Sequence, residues 1–257
     1  MNPYEPEMVS IKNVILESKE TKTFILNKQM QFLPGQFIQV SLPGFGEAPI
    51  SISSYPDLEI SIRAVGAVTD ALHRLKPGQK VGIRGPYGNP YPLDYLKEKD
   101  ILIVSGGCGL APMRSFIEYY LLNRNKFSSL ALFYGARDPG LILYKNELKE
   151  WGNIFSVKLT VDEPDGNWKG SVGVVTKLLE NFEIPKNPVA MLCGPPVMFK
   201  FVTQLLNNKG ISDDKIIVSL ERNMHCGLGK CFHCNVGSKL VCKDGPSFRW
   251  SEVKGLE

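Results

Sequence analysis

ILIVSGGCGLAP, residues 101–112, is a short unbroken apolar run that closes on three glycines and leads into a helix-forming stretch, MRSFIEYYLLNR. An apolar run without polar alternation belongs to a strand covered on both faces, and a Gly-rich turn from such a strand into a helix is one unit of a parallel sheet. The rhythm continues. SLALFYGAR, SVKLTVDE, VAMLCGPP and IIVSLER read as further strands, with helical YKNELKEW, VVTKLLENF and VMFKFVTQLLNNKG between them. From Asp100 onward the chain is therefore expected to form a parallel sheet with helices on both faces. Gly106, Gly107 and Gly109 stand where a phosphate can approach bare backbone at a helix N-terminus, although the spacing is not Gly-x-Gly-x-x-Gly. Cys193, Gly194, Pro195 and Pro196 close a second strand whose C-terminal end faces the same crevice.

Upstream the pattern is different. VSIKNVILES, TKTFIL, PGQFIQVSLPG, APISISS, LEISIRAV and KVGIRGPYG are short β-rich runs separated by turn residues, which predicts an antiparallel barrel or sandwich. One short helix is expected at TDALHRL, with Thr69 as its N-cap. YPLDYLKEKD, residues 91–100, reads as the connection between the two units.

Four of the six cysteines fall in CGLGKCFHCNVGSKLVC, where the gaps between Cys226, Cys231, Cys234 and Cys242 are four, two and seven residues. Clustered thiols in a chain with no export signal read as metal ligands rather than a disulfide framework. The first two gaps match plant-type ferredoxin spacing, with Gly227 and Gly229 letting backbone N–H groups approach the sulfurs, so the segment is expected to hold a [2Fe–2S] cluster. A four-cysteine zinc site is the alternative, and it more often pairs two short gaps across a longer spacer. His225 and His233 lie beside the ligands without being needed as ligands.

The 30 basic and 26 acidic residues are scattered, so no nucleic-acid or membrane-surface footprint emerges. No apolar window is long enough to span a bilayer and the first residues lack a signal-peptide pattern, which makes a cytoplasmic location the expectation.

Taken together, GEAPISISS, RAVGAVTDALHRLKPG, RGPYGN, GGCGLAP, CGPPVM, SLERNMHCGLGKC and CKDGP resemble the ferredoxin–NADP reductase superfamily over essentially the whole chain. Within it, the cysteine segment resembles the dihydroorotate dehydrogenase electron-transfer subunit, and more closely the gamma subunit of cytosolic sulfhydrogenases and the corresponding subunit of anaerobic sulfite reductase. The resemblance implies an FAD-binding β-barrel over residues 1–97, an NAD(P)-binding α/β domain over 98–215 and a [2Fe–2S] segment over 216–257. It places Pro49, Ile50, Ser51 and Ile52 against the flavin ring, with Ser51 near the reactive N5 as a candidate catalytic residue. Arg63, Ala64, Val65, Gly66, Val68 and Thr69 then wrap the ribityl chain and pyrophosphate. Gly106, Gly107, Gly109 and Pro112 meet the nucleotide pyrophosphate, while Cys193, Gly194 and Pro195 lie beside the nicotinamide, with Cys193 positioning the ring or simply packing. Glu221, followed by Arg222, falls near the flavin, where it either tunes a proton equilibrium or forms a surface ion pair.

One departure stands out: where the superfamily carries an arginine three residues before the serine, this chain has Ala48. Arg63 or Arg84 is left to meet the flavin phosphates, and FAD is less firmly implied over FMN. The implied activity is that of an NAD(P)H-dependent flavin and iron–sulfur oxidoreductase subunit. No ligands for nickel–iron or sirohaem are present in the sequence, so its partners are the catalytic and iron–sulfur subunits of a hydrogenase or sulfite reductase complex. The rival readings are a dihydroorotate dehydrogenase partner and a non-catalytic zinc-stapled binding protein.

Overall fold

The computed structural model describes residues 2–256. The N-terminal unit consists of β1 (Glu7–Leu16), β2 (Thr21–Leu26), β3 (Phe37–Leu42), β4 (Gly46–Ser51), β5 (Glu59–Arg63), the short helix α1 (Ala67–Leu72) and β6 (Lys80–Tyr87). The strands form one antiparallel sheet in the order β4-β3-β6-β1-β2-β5, and a bridge between Ile52 and Ile60 curls its edges together into a barrel. Alternation sets the interior: Val9 and Ile11, Phe24 and Leu26, Ile38 and Val40, and Ile60 and Ile62 all point inward and are buried. Thr69 is not the N-cap of α1. Gly66 holds that position, and the Thr69 hydroxyl, one turn in, accepts from the Val65 and Gly66 amides and donates to the Gly66 carbonyl. Thr69 thus supplies the N3 half of a capping box, reaching back to the N-cap amide, while Gly66 has no side chain to supply the other half.

After α2 (Leu93–Leu96) comes the second unit: β7 (Asp100–Gly106), α3 (Leu110–Leu122), β8 (Ser129–Ala136), α4 (Lys145–Gly152), β9 (Ser156–Val161), β10 (Ser171–Val172), α5 (Thr176–Glu180), β11 (Pro188–Cys193), α6 (Pro196–Asn208) and β12 (Ile216–Ser219). These strands are parallel, in the order β10-β9-β8-β7-β11-β12. Ile101 and Ile103 of β7 enter the core beneath α3 and α4, while Leu102 and Val104 enter the one beneath α5 and α6, as the unbroken apolar run requires. α3 begins at Leu110, earlier than the helical stretch read from sequence, and takes Pro112 into its first turn, where a missing N–H costs nothing.

The C-terminal segment carries the hairpin β13 (Asn235–Val236) and β14 (Lys239–Leu240), then β15 (Ser247–Arg249) and α7 (Trp250–Val253). β15 pairs antiparallel with β12 and extends the nucleotide-side sheet by one edge strand, so this segment is built into the second unit rather than appended to it.

Arg114 ties barrel to sheet. From α3 it forms ion pairs with Glu59 of β5 at 2.8 Å, Glu118 at 2.9 Å and Glu147 of α4 at 2.7 Å, and it donates to the Ser53 carbonyl at 2.8 Å. Its guanidinium also lies 5.1 Å from the Tyr144 ring centroid, and the Tyr144 hydroxyl donates to Ser61 of β5. Burial pushes the Glu118 carboxyl up to about 7, against the pull of Arg114 and of the Tyr55 N–H it accepts. One cation cannot neutralise three carboxylates, so Glu118 is the one that takes up a proton.

Arg114→Met strands these carboxylates in a buried interface and is expected to cost about 3–5 kcal/mol in urea unfolding. A carboxyl whose folded value lies above its ordinary 4.5 adds stability at low pH, and that stability is lost as pH rises through about 7. Glu118→Gln should therefore flatten the fall in melting temperature between about pH 5 and 8 relative to the parent, read by melts across that range.

Candidate functional site

The turns after β7 and β11 meet at the C-terminal edge of the sheet, where Ser105 and Cys193 are register partners. Their backbones touch. A methyl group on Gly109 would lie 2.3 Å from the Cys193 carbonyl oxygen and 2.7 Å from the Gly194 nitrogen, and one on Gly106 would meet Pro195 and Met198 at 3.0 Å. Gly107 has φ of +54°, so the turn needs glycine there for conformation and at Gly109 for room.

Over this junction lies a cleft with two adjoining chambers. The larger, about 590 Å³, reaches from Glu20, Thr21 and Arg63 of the barrel across Gly106 and Gly107 to Arg137 and Asp162 at the ends of β8 and β9. The smaller, about 410 Å³, shares Arg63, Gly106 and Gly107 and runs past Gly109, Gly194 and Pro195 to Glu221 and Arg222. Either volume suits a small-molecule ligand. Arg63 forms an exposed ion pair with Glu20 at 2.8 Å and faces both chambers. Glu221 stays open to solvent on the cleft side while protein crowds it from behind. That crowding raises its carboxyl above the usual value, and the Arg63 guanidinium opposes the shift.

Among the expected site residues, Arg63, Gly106, Gly107, Gly109, Gly194, Pro195 and Glu221 thus line one cleft. Three others lie elsewhere. Pro112 is buried in α3, its carbonyl accepting from the Ser115 hydroxyl. The Cys193 thiol is buried in the core, and burial pushes it up, which leaves its backbone rather than its sulfur at the turn. Ile52 points into the barrel core at 1% exposure. Pro49, Ile50 and Ser51 lie half-buried on β4 at the sheet edge, and Ala64, Val65, Gly66, Val68 and Thr69 form an open shoulder at the start of α1. Arg84 is committed elsewhere: it pairs with Glu47 and donates to the Cys226 carbonyl at 3.3 Å from both terminal nitrogens. Of the two arginines expected at the site, Arg63 is the one that faces the cleft. Sequence reading missed Ser18, Glu20 and Thr21 from the barrel and Val174, Val175 and Thr176 at the start of α5, which also line the larger chamber.

In the cysteine loop the amides of Leu228, Lys230 and Cys231 converge on the Cys226 sulfur at 3.3–3.4 Å, and the Gly229 amide reaches the Cys242 sulfur at 3.1 Å. Gly227 and Gly229, with φ of +71° and +70°, turn these amides inward. Burial acts against ionisation of Cys226, yet the three amides outweigh it and hold the thiol at about 6. The sulfurs lie in two hydrogen-bonded pairs, Cys226 with Cys231 and Cys234 with Cys242. Among the described residues no three His, Cys, Asp or Glu side chains are grouped as a single metal ion would hold them. Two pairs with amides aimed at their sulfurs fit a two-iron centre.

The family model for the iron–sulfur cluster binding domain of dihydroorotate dehydrogenase B matches residues 221–254, and that for the oxidoreductase NAD-binding domain matches 103–204. The gamma subunit of sulfhydrogenase 1 from Pyrococcus furiosus is 39% identical over 98% of this chain and 93% of its own length. The chain belongs to the sulfhydrogenase gamma and dihydroorotate dehydrogenase electron-transfer subunit family. The probable electron-transfer subunit of dihydroorotate dehydrogenase B from Thermococcus kodakarensis is 35% identical over 97% of this chain and 98% of its own. The solved structure of an NADH-dependent reduced ferredoxin–NADP oxidoreductase, described for flavin-based electron bifurcation, superposes with a TM-score of 0.78 at 25% identity, covering 96% of this chain and 90% of that one. The expected ferredoxin-reductase-like fold is thereby met: an antiparallel barrel, a parallel nucleotide-side sheet and an iron–sulfur segment. The chain is an oxidoreductase subunit. Among the described residues, no helix is long and apolar enough to cross a membrane.

Gly109→Ala forces the two touching turns apart and is expected to cost about 1–3 kcal/mol in denaturant unfolding, with nucleotide affinity falling in the refolded protein.

Proposed function

We propose that this chain is the diaphorase-type subunit of a cytoplasmic redox complex, moving electrons between NAD(P)H, a bound FAD, a [2Fe–2S] cluster and a partner catalytic subunit. The observation that carries this reading is that the chain runs from the cleft wall directly into the cysteine loop. Glu221 and Arg222 line the cleft wall, and Cys226 begins the thiol loop a few residues later in the same strand exit.

When bound, FAD takes up hydride from the nicotinamide and gives electrons up singly, and the cluster carries one electron at a time. The chain's own residues bind, orient and shield. Gly106, Gly107 and Gly109 offer bare backbone at the start of the thirteen-residue helix α3, where orphan N–H groups and the helix dipole favour a phosphate. Gly194 and Pro195 form the facing wall, while Arg63 supplies positive charge to both chambers. Pro49, Ile50 and Ser51 offer the half-buried edge of β4 to the flavin, with the Ser51 hydroxyl at its end, and the Ala64–Thr69 shoulder takes the ribityl and phosphate portion. Ile52 contributes backbone only. Glu221, its carboxyl raised by burial and opposed by Arg63, stands beside the cleft as the candidate proton-handling group.

Cys226 with Cys231 would hold one iron and Cys234 with Cys242 the other. Cys231 and the neighbouring Phe232, 65% exposed, form the face from which electrons leave. The partner on that face is a hydrogenase or sulfhydrogenase assembly, or an anaerobic sulfite reductase. A dihydroorotate dehydrogenase is the second reading, supported by the match over 221–254.

Anaerobic reconstitution should give flavin bands together with a broad iron–sulfur shoulder, both bleached by NAD(P)H. Cys231→Ser should abolish the cluster's electron paramagnetic resonance while flavin reduction by NAD(P)H continues. A colourless protein carrying stoichiometric zinc would overturn the reading, and a lone chain that evolves hydrogen or reduces sulfite would overturn the division of labour. Co-purification from the native source decides among the partners.

Asp162 lines the outer end of the cleft, and Arg137 across from it is held by Glu163 at 3.7 Å. Asp162→Asn removes a charge that repels a 2′-phosphate and should raise the rate of flavin reduction by NADPH relative to NADH severalfold, read by stopped flow with the two nucleotides side by side.

A further inference from the structure

Gln39 is 1% exposed, and neither its amide nitrogen nor its amide oxygen has a hydrogen-bond partner within the described protein. A buried amide with both ends unpaired is costly, and in a native fold it signals a partner that the polypeptide itself does not supply. The position of Gln39 points to that partner. On β3 it stands between Pro49 of β4 and Arg84 of β6, its register partners, so the three side chains form a row across one face of the sheet. The cysteine loop covers that face. Arg84 donates to the Cys226 carbonyl, and the Gln39 amide lies against Gly227, where an added methyl group would come within 2.9 Å of Nε2.

Gly227 sits between Cys226 and Leu228, whose amide already points at the Cys226 sulfur. The loop backbone sends its donors to the Cys226 and Cys242 sulfurs, and the Gln39 amide lies against the same loop at Gly227. Cluster sulfides and thiolates accept hydrogen bonds and donate none, so a glutamine NH2 group is chemically matched to them.

We propose that Gln39 Nε2 donates a hydrogen bond to a sulfur of the [2Fe–2S] cluster held by this loop, so that its NH2 group finds a partner only when the cluster is in place. The inference rests on the cluster reading above. A donor to a cluster sulfur stabilises the reduced, more negative state more than the oxidised one, so Gln39 is a positioning residue that raises the cluster potential. Its place in the row beside Pro49 puts this adjustment on the side of the cluster that faces the flavin-binding strand.

Gln39→Met keeps the length of the side chain and removes both polar atoms. Exchange of an unpaired buried amide for an apolar group of similar shape is nearly neutral or stabilising, so the variant should fold. Potentiometric titration followed by electron paramagnetic resonance of the reduced cluster is expected to show normal iron and sulfide content with the midpoint moved to lower potential. A tenfold change in the one-electron equilibrium corresponds to about 59 mV. Melts should show the cluster-free variant more stable than the cluster-free parent, with that advantage lost once cluster is loaded.

An unmoved midpoint in a loaded variant overturns the proposal and leaves Gln39 satisfied by internal water. If Q39M does not hold iron, Gln39→Asn, which shortens the reach by one methylene, carries the same expectation. Failure of both to hold a cluster in a native fold assigns Gln39 to loop assembly and also overturns the proposal. Failure of the parent to take up iron and sulfide at all would instead sink the cluster reading itself.

Discussion

The placement of one guanidinium, that of Arg114, governs the geometry of the whole molecule. It is buried at the seam between barrel and sheet, and it meets a carboxylate from β5, one from its own helix and one from α4. A buried arginine is tolerated only when its charge and its donors are matched, which gives this contact a defined geometry where greasy packing would allow sliding. Tyr144 over its face and the Tyr144–Ser61 hydrogen bond fix the same seam from the other side. The cleft exists because these contacts hold the barrel against one end of the sheet while leaving the strand C-terminal edge open. Thr21 meets Cys108 of the β7 turn at 3.7 Å, and Arg63 faces Gly107 and Gly194 across the open cleft. The excess of carboxylates at the seam is absorbed by the proton on Glu118, so the interface stores a pH dependence that belongs to domain docking and not to redox chemistry.

Much of this was legible because it depends on local pattern. Continuous apolar runs at Ile101–Val104 and Val189–Leu192 can only be strands buried on both faces, and the glycines that follow can only be turns. The cysteine spacing announced a cluster loop because the gaps themselves encode which sulfurs can meet. What sequence hid depends on partners far away in the chain. Arg114 looks like one more polar residue of an amphipathic helix, and nothing near it names Glu59 or Glu147. Cys193 has the same letter whether its sulfur faces a ligand or the core, and only the register of β11 turns it inward. Ser171–Val172 and Ser247–Arg249 are too short to show any period, so the two strands at the sheet's edges were invisible. Arg84 was a candidate for the flavin phosphates on charge alone, and the structure assigns that charge to Glu47 and the cysteine loop.

That reassignment bears on why the iron–sulfur segment is placed as it is. The iron–sulfur segment, residues 221–254, is too short to bury an independent core, and small units of this size need a metal, a staple or a neighbour to hold shape. This segment borrows from both neighbours. β15 completes its hydrogen bonding on β12, and Phe248 and Trp250 enter the core shared with Phe199 and Val202 of α6. On the barrel side the Asn89 amide donates to the Gly245 carbonyl and its side chain to that of Asp244, while Gly88 leaves room for Pro246 within 2.7 Å of where a methyl would stand. Two motifs separated by most of the chain, RGPYGN and CKDGP, are thus halves of one contact.

The consequence is mechanical. Because the cysteine loop is pinned to the barrel by Arg84 and Asn89 and to the sheet by β15, it cannot swing as a tethered module would. The distance from the β4 edge to the thiols is a property of the fold. A relay built this way needs no docking step between its internal sites, and the exposed side of the loop, at Cys231 and Phe232, is the surface the proposed function assigns to recognition. On that proposal partner choice is written in the residues around the exit, while the barrel, the cleft and the inner face of the loop are free to stay the same whichever catalytic subunit receives the electrons.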